Sequence, residues 1–254
     1  MIRFILSLSL LLTISCGKDK KEEKDRKSHD ASQFYNTSQI KVHIYYEAGA
    51  EPYINDTMFE GLGYWNILDE NLKALFQGRK TNTNIIVPKT LSQMNLIASQ
   101  NKFEWSLDEA VNLFHTIHSS SSSSDLAVIF VKGFAKQSPS IIGFHVNTKP
   151  FVFIFKDVIR SSGTSDPLNL APKYLEQATV IHELGHALGL VNNGVKMQTP
   201  HQDTEHGHHC SNPNCIMFYT HESINGLRQF IQNIIETQSF VMFDDNCLKD
   251  VRSF

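Results

Sequence analysis

Thr179-Val-Ile-His182-Glu183-Leu-Gly185-His186-Ala-Leu-Gly189-Leu190 decides how this chain is read. From Pro172 to Val191, the residues Leu175, Ala178, Ile181, Gly185 and Leu188 recur at helical spacing, which predicts one helix with an apolar seam turned to the core. Pro172 suits the first turn, where no amide hydrogen is needed, and Asn169 is placed to cap it. On that helix His182 and His186 stand one turn apart, about 40° around the axis, so both rings can reach one ion. Glu183 follows the first His and projects beside that ion, where a carboxylate can take a proton from water and return it to a leaving amine. The pattern HExxH also arises by chance on helix surfaces, but the extension Ala187-Leu188-Gly189-Leu190 has no use in that explanation. Gly185 can let another backbone approach, and Gly189 can turn the chain left-handed, back toward the His pair.

Two imidazoles make half a zinc site. Seven of the twelve His lie between 182 and 221, so the missing ligand is expected downstream. The extended pattern HExxHxxGxxH would put a third His at 192, where this chain has Asn192, a poor zinc ligand. The candidates are His201, His206 and His209, and chain reach alone does not choose among them.

Around this segment the chain has 254 residues, 41% hydrophobic content and a net charge of -3, enough for one substantial core and without the basic excess that nucleic acid would demand. Residues 1–15 hold Arg3, an apolar stretch from Phe4 to Ile14, and Ser15 before Cys16, which resembles a bacterial lipoprotein signal peptide too short to span a bilayer. Cys16 is then the lipidation site. Lys18 to Lys27 carries six basic and four acidic residues and no apolar one, so residues 16–39 are expected as a lipid-anchored, solvated linker. A cell-envelope location at a membrane follows, periplasmic or on the cell surface. The remaining cysteines, Cys210, Cys215 and Cys247, allow a Cys210–Cys215 disulfide, the favoured expectation, or a second, structural zinc completed by one further ligand.

The folded domain is expected over residues 40–254. Ile40 to Tyr46 alternates as a strand, which makes His43 a face residue. Thr57 to Phe76 reads as a helix with Tyr64 and Trp65 in the core, Asn84 to Val87 as a strand, and Leu107 to Ile117 as a helix capped by Ser106 and Glu109. A serine run from Ser119 to Ser124 reads as a flexible connection. Leu126 to Val131 then gives a buried strand, and Ile141 to Val146 and Phe151 to Ile159 two more extended segments. The order predicts an α+β fold: a twisted mixed sheet, two stacked helices and the His-bearing helix below a cleft whose upper rim is a late strand.

HELGHALGL followed by His209-Cys210 and then Cys215-Ile216-Met217 resembles the archaemetzincins of the metzincin clan of zinc peptidases, with pattern HExxHxxGxxHCxxxxCxM. The spacing from Gly189 to the third His is seventeen residues longer here. The resemblance implies a metzincin-like fold, one catalytic Zn2+ held by His182, His186 and His209, Glu183 as general base, and a protein or peptide substrate. It implies that Met217 forms the packing floor beneath the ligands. Tyr219 resembles the Met-x-Tyr of astacins and serralysins, which implies an oxyanion-stabilising phenol. Archaemetzincins complete a second zinc site with a CxxC pair; this chain has Cys247-Leu-Lys-Asp250, later than that spacing places it, which leaves the second zinc open. Two other readings stand beside the peptidase. One is a surface lipoprotein that binds metal through the His-rich segment without catalysis; the other is a degenerate peptidase fold that binds a protein partner.

Overall fold

The computed structural model describes residues 30–57, 61–120, 122–147, 149–163 and 170–254. The signal peptide, Cys16, the charged run and the Asn169 cap lie outside them. The elements are α1 (Ser32–Tyr35), β1 (Gln39–Glu47), α2 (Tyr64–Phe76), β2 (Asn84–Ile86), β3 (Asn95–Ile97), β4 (Glu104–Trp105), α3 (Leu107–Ile117), β5 (Leu126–Val131), β6 (Phe134–Ala135), β7 (Gly143–His145), β8 (Phe151–Phe155), α4 (Lys156–Ser161), α5 (Leu170–Ala187), β9 (Gln202–Asp203), β10 (His209–Cys210), α6 (Ile224–Thr237) and α7 (Asp245–Arg252). Packing begins before residue 40: Ala31, Phe34 and Tyr35 are buried, and the Tyr35 hydroxyl donates to the Leu188 carbonyl just past α5.

The fold is α+β with a mixed sheet in the order β2-β1-β5-β8-β7, and β3 also pairs β1. β1, β2, β3, β5 and β8 run parallel, whereas β7 is antiparallel to β8 and forms an edge. Every residue of β5 and β8 is buried, so both faces of the sheet need cover. One face takes α3, where Phe114 stacks on Phe151, and Trp105 meets Phe153 at an angle on the same face. The other face takes α2, through Trp65 against Phe130, and the long α5, which packs on α2, β7 and β8. The stacked pair on one face is therefore α2 with the His-bearing α5, and α3 lies opposite.

Two of the boundaries that differ from the sequence reading have a clear physical cause. The apolar run Phe151 to Ile159 is not one strand: it leaves the sheet at Phe155 and continues as α4. Short apolar runs fit either state, and here Lys156 fixes the change by turning into the core to pair with Glu176 of α5. α2 begins at Tyr64, not Thr57, because the chain first makes a turn with Gly61 at φ 68° and a bridge between Asp56 and Gly63.

The Lys156–Glu176 pair is fully buried, and its other contacts are supplied locally. The Tyr53 amide donates to Glu176 Oε1 at 2.7 Å, and Lys156 Nζ sits 3.3 Å from the Tyr53 ring centroid. Removing one partner of such a pair costs about 3–5 kcal/mol, since the other charge is left buried and unmatched. This tie holds the first half of α5 in place, two turns before the His pair.

Candidate active site

α5 ends at Ala187, four residues before the Val191 expected from the sequence, because the chain turns at Gly189. Gly189 has φ 81°, and a Cβ there would come within 2.9 Å of the Asn193 carbonyl and of Ala31 Cβ. The chain turns back left-handed, and the segment after it returns as the hairpin β9–β10, in which His209 pairs with Asp203 and Cys210 with Gln202. Neighbouring residues of a strand point to opposite sides, so β10 sends His209 one way and Cys210 the other.

His209 arrives beside the α5 pair. The ligand atoms of His182, His186, His209 and Glu222 all lie within 4.8 Å of one another. His182 Nε2 and His186 Nε2 face each other at 3.2 Å. The opposite nitrogens fix the tautomers: His182 Nδ1 donates to the Ile216 carbonyl at 2.7 Å, and His209 Nδ1 donates to the His206 carbonyl at 2.6 Å. Each of those rings therefore turns an Nε2 lone pair inward. Burial pulls His182 down to about 4 and His186 well below the ordinary imidazole value, helped by the neighbouring rings, so both are neutral ligand bases. His209 is also held down by burial, but the Glu222 carboxylate and the His206 carbonyl outweigh that and leave it raised. Converging lone pairs in a buried pocket fit a divalent ion of the zinc type, which takes three such nitrogens and keeps a fourth position.

Glu183 is buried beside this group. Burial, and then the charge of Glu222, push its carboxyl up to about 8, against the lowering effects of His209 and of the His145 backbone N–H that it accepts. A cation in the His ring would pull it down again, toward the range a general base needs near neutral pH. The group opens on a cleft of about 420 Å³ whose walls include Gly143, Phe144 and His145 of the edge strand β7, with Glu183, His186, His208 and His209. The late strand on the rim is thus β7.

Met217 is fully buried, and a Cβ on Gly185 would lie 2.4 Å from its sulfur. Gly185 thus admits a thioether between the two His turns, where the sequence suggested an approaching backbone. Tyr219 stacks face to face on His206, centroids 3.6 Å apart, and the cleft wall at that point is His206 and not the phenol. His206 Nδ1 is engaged by Asp203 and His208 Nδ1 by the Val191 carbonyl, and neither ring belongs to the group whose ligand atoms lie within 4.8 Å of one another. His43 pairs with Asp125 on the far side of the sheet order, as a face residue.

A second cluster lies on the other side of β10. Cys210, Cys215 and Cys247 are buried and free, so the expected Cys210–Cys215 disulfide is not formed. Cys215 and Cys247 sulfurs are 3.6 Å apart, and His201 Nδ1 is 3.3 Å from Cys210 Sγ. His201 Nε2 donates to Asp250 Oδ2 at 2.7 Å. The His201 considered as third ligand is thus committed here. His201, Cys210, Asp244 and Cys247 also have ligand atoms within 4.8 Å of one another. Asp244 is already occupied, accepting from the Cys247 amide and the Asn212 side chain. Cys215 is the better fourth member, since backbone amides of Asn212 and Asp244 point at the sulfurs of Cys210 and Cys215 as they do toward thiolates. Hydrogen bonds from the other two thiols pull Cys210 well below the usual thiol range, while burial pushes Cys215 up. The hydrogen bond that His201 donates to the Cys210 sulfur, opposed by burial and joined by the one to Asp250, holds the His201 ring raised to about 9. Three sulfurs and one imidazole fit a structural zinc.

Glu222 is the site residue that the sequence reading passed over, and Asp250 is one that it names without a role. Asp250 stands at the fourth position of Cys247-x-x-Asp250, where a CxxC pair would have its second Cys; it orients a ligand instead of being one.

No family model matches the chain, and no curated protein matches it. Among solved structures, the chain is similar to a zinc-dependent peptidase from Methanocorpusculum labreanum, with 11% identity, a TM-score of 0.44 and coverage of 83% of this chain and 99% of that one. It is similar also to archaemetzincin from Methanopyrus kandleri, with 11% identity, a TM-score of 0.41 and coverage of 86% and 96%. Both likenesses are distant, and what the site can do follows from its own side chains.

Proposed function

We propose that the chain is a zinc-dependent peptidase in which His182, His186 and His209 hold the catalytic ion and Glu183 is the general base. The observation that carries this reading is the meeting of three imidazoles, two with their Nε2 lone pairs fixed inward, next to a buried carboxylate at the floor of an open cleft. Bound there, zinc supplies a Lewis acid that polarises a carbonyl and lowers the pKa of water to about 7. Glu183 takes the proton from the attacking water and passes it to the leaving nitrogen. β7 offers its outer edge to the cleft, so an extended peptide can add as a further strand and lay its scissile bond over Glu183. Met217 fixes the height of α5 under the ligands, and His206, backed by Tyr219, closes one wall.

The cysteine cluster is assigned a second, structural zinc held by Cys210, Cys215, Cys247 and His201, with Asp250 keeping the imidazole in register. The substrate is a protein or peptide. The chain is placed at the cell envelope, tethered to a membrane through a lipid on Cys16, on the strength of the sequence of residues 1–27.

The test is metal content together with cleavage. The purified chain is expected to hold two zinc ions and to cut a mixed peptide library, with cleavage blocked by a hydroxamate. A chain that holds zinc on the cysteine cluster but none on the His group, or that holds it there and leaves every peptide intact, overturns the reading.

A further inference from the structure

The fourth corner of the His group is held by a side chain. Glu222 Oε1 lies 3.1 Å from His209 Nε2, and its carboxylate shares the 4.8 Å sphere with the ligand nitrogens of His182 and His186. His209 has given its only neutral-ring hydrogen to the His206 carbonyl, and its Nε2 has no hydrogen-bond partner among the described residues. An imidazole nitrogen and a carboxylate oxygen thus face each other at contact distance, which a shared proton or one cation can bridge. A proton could bridge that pair and another the His182 and His186 Nε2 atoms 3.2 Å apart, but only one cation draws all four groups together, and their ligand atoms all lie within 4.8 Å of one another. A single divalent ion satisfies all four.

The backbone carrying Glu222 is tied into the fold, while its side chain is largely exposed. Glu222 ends the 3-10 turn Tyr219–Glu222, which follows the buried pair Ile216 and Met217. Ser223 then caps α6 by accepting the Gly226 amide, and a Cβ on Gly226 would fall 2.1 Å from the Thr220 carbonyl, so the turn packs directly against the start of α6. The Glu222 side chain is 56% exposed, in contrast to the 9% of His209. It approaches from the solvent side, the direction from which water and a substrate carbonyl must also come, and it lines the cleft.

Resting on the zinc-site reading above, we infer that Glu222 is a fourth, displaceable ligand that closes the catalytic corner in the resting protein and swings out when a substrate enters. Glu222 thereby sets both the grip on the ion and the ease with which a peptide reaches it.

The experiment uses the full chain loaded with Co2+, as wild type, Glu222→Gln and Glu222→Asp. Exchange of a carboxylate for a solvent ligand is expected to change the visible absorption of the cobalt in Glu222→Gln. Loss of the ion to a chelator should be about tenfold faster, and acetohydroxamate should bind more tightly, since nothing has to be displaced. Glu222→Asp, one methylene short, should behave like Glu222→Gln. Identical spectra, identical chelator rates and identical acetohydroxamate affinity in all three proteins overturn the inference. If wild type takes up no cobalt that depends on His182, the zinc-site reading has failed instead, and His182→Ala identifies that outcome.

Discussion

Glu183 is the residue whose removal separates chemistry from metal binding. Glu183→Gln keeps the volume and leaves the three imidazoles in place, so zinc should remain bound while peptide cleavage falls by about 10²–10⁴-fold; paired metal analysis and cleavage rates check it. His209→Ala should strip the ion from the His group, whereas His201→Ala should spare it and release the zinc of the thiol cluster. Metal analysis on the two variants tells these apart. At this scale the pair His182 and His186 was legible because both sit on one helix, where spacing fixes geometry. The choice between His201 and His209 was not legible from residue chemistry, since both are imidazoles on one long return segment; only the resemblance favoured His209. The alternation of a strand explains the outcome afterwards, as adjacent His209 and Cys210 must part company. Glu222 gives no signal in the sequence, because a lone carboxylate at the end of a 3-10 turn has no periodicity to betray it.

Among the elements, α5 depends on two contacts that cannot be read from its own pattern. Met217 presses its sulfur onto Gly185, so Gly185→Ala should force the floor down and cost about 1–3 kcal/mol, while Met217→Ala should open a cavity costing about 2–5 kcal/mol. Urea unfolding of both variants measures this, and both should also weaken zinc retention. The strands β1 and β5, and α3 with its capping box, were legible because alternation, continuous burial and the Ser106–Glu109 pair each carry a local cause. The junction of β8 with α4 was hidden because nine apolar-rich residues satisfy either period, and the deciding partner, Glu176, lies on another helix. Similarly, a Cys210–Cys215 pairing seemed natural from proximity in sequence, yet tertiary packing sets Cys215 against Cys247.

For the molecule as a whole, acidification should act on stability through His118 as well as on the metal. Burial, then repulsion from His43, lowers His118, whose ring accepts from the Tyr45 hydroxyl. Its folded-state value lies below the ordinary 6.5, so the unfolded chain binds the proton first, and the stabilisation present above pH 6.5 is lost as the pH falls through that value and below. Asp125 is lowered despite its burial by its bonds to Ser120 and His43, which adds a loss only below its ordinary 3.8. Urea midpoints between pH 8 and pH 5 should decline, and His118→Gln should flatten the decline. The lowered His182 and His186 should give up zinc to competing protons only in acid. One further consequence lies in β10. A two-residue strip that turns an imidazole to one group of ligand atoms and a thiol to another is a shared lever, with His201 beside that thiol fastened by Asp250. The register of β10 on β9 therefore sets the position of both groups of side chains at once.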